Sequence, residues 1–159
     1  MADYRFLTTW VLEAPLPPIW HALYEIDRWP DWWRGVERVT ELVHGEGNGV
    51  GTVYRHVWRS VIPYAVTFDA RVTRVEEPHV IEAAATGGLE GTGTFRLFAA
   101  PLGTAVTYEW AVRTTKSWMN VVAPVARPVF AWNHHAVMKN GGRGLAQLLG
   151  ARLLAHASS

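Results

Sequence analysis

The chain has 159 residues, with 15 Lys+Arg against 14 Asp+Glu, a formal net charge of +1 and 49% hydrophobic residues. A chain of this length buries roughly 70% of the surface exposed when unfolded, enough for one domain with a real core. Hydrophobicity this high with so little net charge excludes intrinsic disorder, and the charge balance leaves no excess of cations for general nucleic-acid binding. The absence of cysteine removes disulfides, thiol nucleophiles and thiolate metal sites together. No stretch approaches the roughly 18 apolar residues of a membrane-spanning helix. The N-terminus does not read as a signal peptide, because Asp3 and Arg5 flank an apolar stretch broken by two threonines. The expected compartment is the cytosol, with no integral membrane association. Nine Trp, five Tyr and five Phe are the compositional anomaly. Rings of that size belong either to a heavy core or to the wall of a cavity or interface.

In chain order, Asp3–Ala14 is rich in aromatic and β-branched residues and predicts a strand ending at Pro15. Pro17 and Pro18 suit a first helical turn, and Ile19, Leu23 and Ile26 form a helical stripe. Pro30 is expected to end that short helix, after which Asp31-Trp32-Trp33 opens another turn before Gly35. From Val36 to Arg113 the pattern is β, with strands expected over Val36–Val43, Thr52–Ser60, from Pro63 through Val72, Val80–Thr86, Gly91–Ala99 and Thr104–Arg113. Tyr54, His56 and Trp58 alternate with Arg55, Val57 and Arg59, so the aromatic set is assigned to the core face. Val106, Tyr108, Trp110 and Val112 alternate in the same way with Thr107, Glu109 and Arg113. One antiparallel sheet with an aromatic inside and a polar outside follows.

Beyond Trp118 the period turns helical: Met119, Val122, Ala126, Phe130, Val137, Leu145 and Leu148 fall near one stripe, which also carries Asn133 and His134. Pro124 and Pro128 place the start of the regular helix near Pro128, or kink it there, and the helix is expected over about 128–154. Gly141, Gly142 and Gly144 mark either a weak turn or one packed unusually closely, hence a hinge or portal. A strongly bent sheet cannot lie flush on one straight helix, which leaves an interior to be filled by side chains or by a ligand.

That order, with the segments APLPPIW, DRWPDWW, GVGTVYRHVW, LEGTGTFRLF, GTAVTYEWAV and FAWNHHAVMKNGGRGLAQLL, resembles the polyketide cyclase/dehydrase-type members of the START-like (SRPBCC, helix-grip) superfamily. The resemblance runs from about Arg5 to Leu149. It implies an α+β helix-grip fold: a curved antiparallel sheet of about seven strands around a long C-terminal helix, with two short helices after the first strand. The whole chain, 1–159, is then one START-like domain. The resemblance also implies a hydrophobic pocket between sheet and helix, but not an activity, since the superfamily holds carriers and enzymes alike.

His134, on the inward stripe beside Asn133, is either a polar contact in an apolar pocket or a core histidine that helps set the helix. His135 lies about 100° further round, so the two cannot share a metal, and no HExxH motif exists. In Asp27–Trp33 the tryptophans either gate the pocket, meet a membrane or partner, or cover the core edge, with Trp33 at the rim. The expected ligand-binding set is Trp33, Tyr54, His56, Trp58, Phe68, Phe95, Tyr108, Trp110, Phe130, Asn133, His134, Val137 and Met138. His134 and Tyr108 are the weak candidates for proton transfer, and no residue is assigned as catalytic. Glu82, Glu90 and Glu109 show no spacing that demands acid–base chemistry, and no GxSxG, GxGxxG or Walker lysine is present. The expected partner is therefore a hydrophobic small molecule such as a lipid, isoprenoid or polyketide, without metal, cofactor or nucleic acid. A cyclase or dehydratase using the same cavity, and a protein- or membrane-docking module, are the alternatives.

Overall fold

The computed structural model describes residues 3–59, 65–114 and 123–159. Strand β1 (Asp3–Leu12) alternates strictly, burying Tyr4, Phe6, Thr8, Trp10 and Leu12 on one face. Helix α1 (Leu16–Tyr24) starts with prolines in its first turn, where a missing N–H costs nothing, and buries Ile19, Trp20 and Leu23. It stops earlier than expected. Glu25 leaves the helical region, and Pro30 does not terminate α1 but sits inside a separate 3₁₀ helix, Ile26–Asp31. In so short a segment a proline forfeits only one backbone bond. The indole of Trp29 donates to the Leu23 carbonyl at 3.1 Å and ties the 3₁₀ turn back to α1.

The remaining strands are β2 (Val36–Val43), β3 (Val53–Trp58), β4 (Val66–Glu76), β5 (Val80–Gly87), β6 (Leu89–Ala100), β7 (Gly103–Thr114) and β8 (Leu153–Ser158). With β1 they form one open eight-stranded sheet in the order β2-β3-β4-β5-β6-β7-β1-β8, every pair antiparallel. Its outer face carries ion pairs, Arg55–Asp69 at 2.8 Å, Arg113–Asp3 at 3.5 Å and Arg96–Glu109 at 3.7 Å, as the outward sets at Arg55 and Glu109 required. Glu82, whose side was open from sequence, also faces out, accepting from the Thr73 and Thr94 hydroxyls at 3.2 and 3.4 Å.

Helix α2 spans Ala123–Leu149, so both ends differ from the expected 128–154. Pro128 lies inside its N-terminal turns. Gly150, at φ +61°, adopts the left-handed conformation that ends the helix; its N–H bonds Gln147 O and that of Ala151 bonds Ala146 O, a Schellman closure. Leu153 and Leu154, inside the expected helix, belong instead to β8, paired antiparallel with β1. This eighth strand is the correction to the expected seven. Leu148 is exposed rather than inward. Ser60, Pro63, Trp118, Met119 and Val122 lie outside the described residues.

The principal core fills the space between the inner face of the sheet and the helices, and includes Trp10, Leu12, Ile19, Leu23, Trp33, Leu97, Met138 and Leu145. This is a helix-grip-like α+β fold.

Candidate functional site

Two hollows open on the inner face of the sheet. The inner one, about 40 Å³, is walled by Tyr54, His56 and Trp58 of β3, Phe68, Ala70 and Val72 of β4, Ile81, Ala83 and Ala85 of β5, and Phe95, Tyr108 and Trp110 of β6 and β7. The alternation of these strands puts their aromatic sets on one side, while the short side chains of β5 supply the space. The outer one, about 90 Å³, lies towards α2, between Tyr4 and Phe6 of β1, Leu89, Val112 and the inward residues Phe130, Asn133, His134 and Val137 of α2. Trp58, Phe68 and Trp110 line both. The Phe68 ring lies against both tryptophans, with centroids 6.0 Å from Trp58 and 5.6 Å from Trp110, and the three form a wall between the chambers. As it stands the inner chamber has room for a few waters only. Anything larger than a single ring has to shift that wall.

The structure brings most of the expected ligand-binding residues to these chambers: Tyr54, His56, Phe95 and Tyr108 to the inner, Phe130, Asn133, His134 and Val137 to the outer, and Trp58, Phe68 and Trp110 to their boundary. It does not bring Trp33 or Met138 there. Trp33 is 1% exposed and donates from its indole to Val137 O at 2.8 Å; Met138 is fully buried and its carbonyl accepts from the Trp10 indole at 3.0 Å. Trp33 lies deeper because Gly141 leaves no Cβ on the helix face that it covers: a Cβ there would come within 2.5 Å of the indole. The glycine run is therefore a close-packed contact. Tyr4 and Phe6 escaped the sequence reading, while Trp29, one of the tryptophans given there as a gate or a cover of the core edge, lines the inner chamber. The alternation of β1 could have found Tyr4 and Phe6, since it places them on the same face as Trp10.

The polar groups of the interior are held neutral. Burial pulls the imidazole of His56 down to about 4, although Asp69 opposes this. The Trp58 indole, which can only donate, reaches His56 Nδ1 at 3.1 Å, so the neutral ring carries its proton on Nε2. His56 also stacks on Phe68, centroids 4.9 Å apart. Burial pushes the Tyr108 phenol far above its usual range, leaving a permanent hydroxyl. His134 falls to about 3, through burial and then the neighbouring His135, and stacks on Phe6 with centroids 4.1 Å apart. No carboxylate is among the described residues lining either chamber.

Beyond Ile26, Tyr54, Val72 and Ile81 the inner chamber backs onto an open groove of about 300 Å³ lined by Glu25, Asp27, Glu41 and Glu46. Burial, reinforced by Asp27 and Glu41, pushes the Tyr54 phenol up to about 12. The interior is thus apolar and uncharged, with an acidic rim at one end. Among the described residues no helix is long and apolar enough to cross a membrane.

Solved structures share this architecture. A protein of Thermus thermophilus superposes with a TM-score of 0.71 at 15% identity, covering 92% of this chain and 99% of its own. The Zhui aromatase/cyclase of Streptomyces sp. R1128 gives 0.66 at 16% identity, with 93% and 95% covered. The di-domain ARO/CYC StfQ of the steffimycin biosynthetic pathway gives 0.68 at 14% identity; 93% of this chain is covered but only 52% of StfQ, so the chain spans about half of that protein. At these identities the likeness is one of fold. No curated protein matches the chain by sequence. The sequence pattern of one family, polyketide cyclase/dehydrase and lipid transport, matches residues 5–150, and the chain belongs to that family.

Proposed function

We propose that this protein binds a hydrophobic small molecule, a lipid, isoprenoid or polyketide-like compound, between the sheet and α2. The observation that carries the reading is the pair of apolar chambers that share the Trp58, Phe68 and Trp110 side chains as lining. Side chains reorient far more readily than backbone, so a ligand that turns these rings gains one continuous apolar volume. Transfer of its surface from water contributes roughly 25 cal/mol per Å², before the costs of association.

Binding without chemistry is favoured over catalysis by the titration of the interior. A general acid or base works best with a pKa near the operating pH. Here His56 and His134 are displaced downwards, to about 4 and about 3, and Tyr108 upwards, all away from neutrality. The cyclase or dehydratase reading keeps one support besides the family: the Tyr108 hydroxyl, in the inner chamber with His56, could hydrogen-bond a substrate carbonyl while the walls restrict its conformers.

Native mass spectrometry of gently purified protein, followed by organic extraction, tests the reading. A stoichiometric adduct of apolar character is expected. An adduct-free protein that also takes up no naphthalene in equilibrium dialysis would remove the binding reading.

A further inference from the structure

Four buried side-chain polar atoms lack a hydrogen-bond partner among the described residues: Tyr4 Oη, Trp20 Nε1, His134 Nε2 and His135 Nε2. Two of the residues that own them, Tyr4 and His134, line the same outer chamber. Tyr4 is 6% exposed, and Phe6 lies against both rings, with centroids 6.1 Å from Tyr4 and 4.1 Å from His134. A buried polar group without a partner is costly to keep, so two at the wall of one chamber ask for a reason.

We infer that the outer chamber is a recognition site for an uncharged hydroxyl carried on a flat ring, held by Tyr4 and His134. The inference rests on the reading of the interior as a small-molecule site. The ring is specified by the walls: Phe6, Phe68, Trp110 and Phe130 present aromatic surface on several sides. The hydroxyl is specified by the orphans. It both donates and accepts, so it pairs with His134 Nε2 in either tautomer and with the Tyr4 phenol; a bare hydrocarbon satisfies neither. Charge is selected against because no cation among the described residues lies in the depth of the chamber to meet an anion: Arg127, 4.8 Å over the Tyr4 ring, is exposed and donates to the Asp3 carbonyl. Arg59, which lines the chamber, is exposed and engaged by Glu37 at 3.4 Å. Both orphan atoms are sealed from solvent in the ligand-free protein, so the ligand reaches them by parting the side chains around Phe6.

Isothermal titration calorimetry with β-naphthol, naphthalene and β-naphthoate, on the full chain and on Tyr4→Phe and His134→Phe, tests this. The wild type should prefer β-naphthol to both other probes. In each variant the preference for β-naphthol over naphthalene should fall about three- to tenfold, the worth of one neutral hydrogen bond. Tyr4→Phe should also melt at a higher temperature than the wild type without ligand, because it deletes an orphan. A merely structural Tyr4 would not couple higher stability to weaker binding. Equal binding of β-naphthol and naphthalene by the wild type, or tightest binding of β-naphthoate, overturns the inference while the binding reading survives. Failure of all three probes to bind overturns the inference, and together with an adduct-free native mass spectrum it overturns the binding reading too.

Discussion

Residues 137–146 of α2 meet the sheet and the Trp-rich turn through directed, fully buried contacts. The Trp33 and Trp10 indoles donate to the carbonyls of Val137 and Met138 at 2.8 and 3.0 Å. Gly141, Gly142 and Gly144 leave out the side chains that would collide with Trp33, Trp10 and the Trp32 carbonyl. Residues 127–135 meet β1 differently. Their seam holds three of the unpartnered buried polar atoms, on Tyr4, His134 and His135, and one of the two chambers. The same helix is thus an anchor at one end and an adaptable wall at the other. Binding surfaces are drawn from the less stable parts of a fold, because a wall that is fully satisfied has no reason to rearrange around a ligand.

The sharpest way to break the anchor is Trp33→Ala. It deletes a 1%-exposed ring that touches Trp10, Trp29, Trp32 and Trp58, and a loss of about 3–5 kcal/mol is expected in urea unfolding. A loss below about 1 kcal/mol would mean that the indole contacts do not anchor the helix. Gly144→Ala comes next and its sign is the informative part. Helix propensity alone favours Ala by about 1 kcal/mol. Against it, the new Cβ would lie 1.9 Å from the Trp32 carbonyl oxygen, a backbone atom that moves only with its whole turn. Overpacking of that kind outweighs the propensity gain, and a net destabilisation of about 2 kcal/mol is expected. A more stable Gly144→Ala protein would show that the Trp32 turn yields and that the anchor is softer than its geometry.

How much of this could be read from sequence follows the same division. The alternation in Val53–Trp58 and Gly103–Thr114 set the inward faces because period two leaves only one choice once a face is apolar. The glycine run announced either weakness or close packing, and only the indoles opposite, Trp10 of β1 and Trp33 after the 3₁₀ turn, decide between them. Strand β8 was hidden for a physical reason. Arg152, Leu153 and Leu154 are good helix formers that follow closely on the helical residues, and only the left-handed Gly150 breaks the run. The division of the interior into two chambers depends on the register that sets Trp58 opposite Val66 and His56 opposite Phe68 across β3 and β4, a long-range fact that no local pattern contains. Trp33 illustrates the limit from the other side. A Trp in a turn is a fair rim candidate until the glycines of a distant helix are seen to receive it.

Acid should find the adaptable end. The His134 imidazole is held at about 3 in the folded protein, chiefly by burial, against about 6.5 when unfolded. The unfolded chain therefore takes up a proton before the folded one does. The stabilisation from a neutral His134 is complete above pH ~6.5 and is lost as pH falls from there towards the folded value. The slope is at most about 1.4 kcal/mol per pH unit for this group. His56, lowered to about 4, adds a similar slope over a narrower range. Unfolding midpoints measured from pH 7 to 4 should fall steeply in the wild type and less steeply in His134→Phe. Equal slopes in the two proteins would place His134 in contact with solvent rather than in the seam.

The smallest expected effect lies at the outer edge of the adaptable end. Arg127 sits 4.8 Å above the Tyr4 ring, and its guanidinium also donates to the Asp3 carbonyl. Arg127 itself is exposed, and a cation–π pair whose cation stays in water contributes about 0.5–1 kcal/mol. Arg127→Ala should therefore cost no more than about 1 kcal/mol in the ligand-free protein, a small fraction of the Trp33→Ala loss. Its effect should grow when a ligand is bound, because Arg127 covers the ring whose hydroxyl the ligand uses. If Arg127→Ala instead destabilised the free protein as strongly as Gly144→Ala, the two ends of α2 would be equally anchored. The chamber between Tyr4 and His134 would then be a packing fault in a rigid seam, with no wall free to open around a ligand.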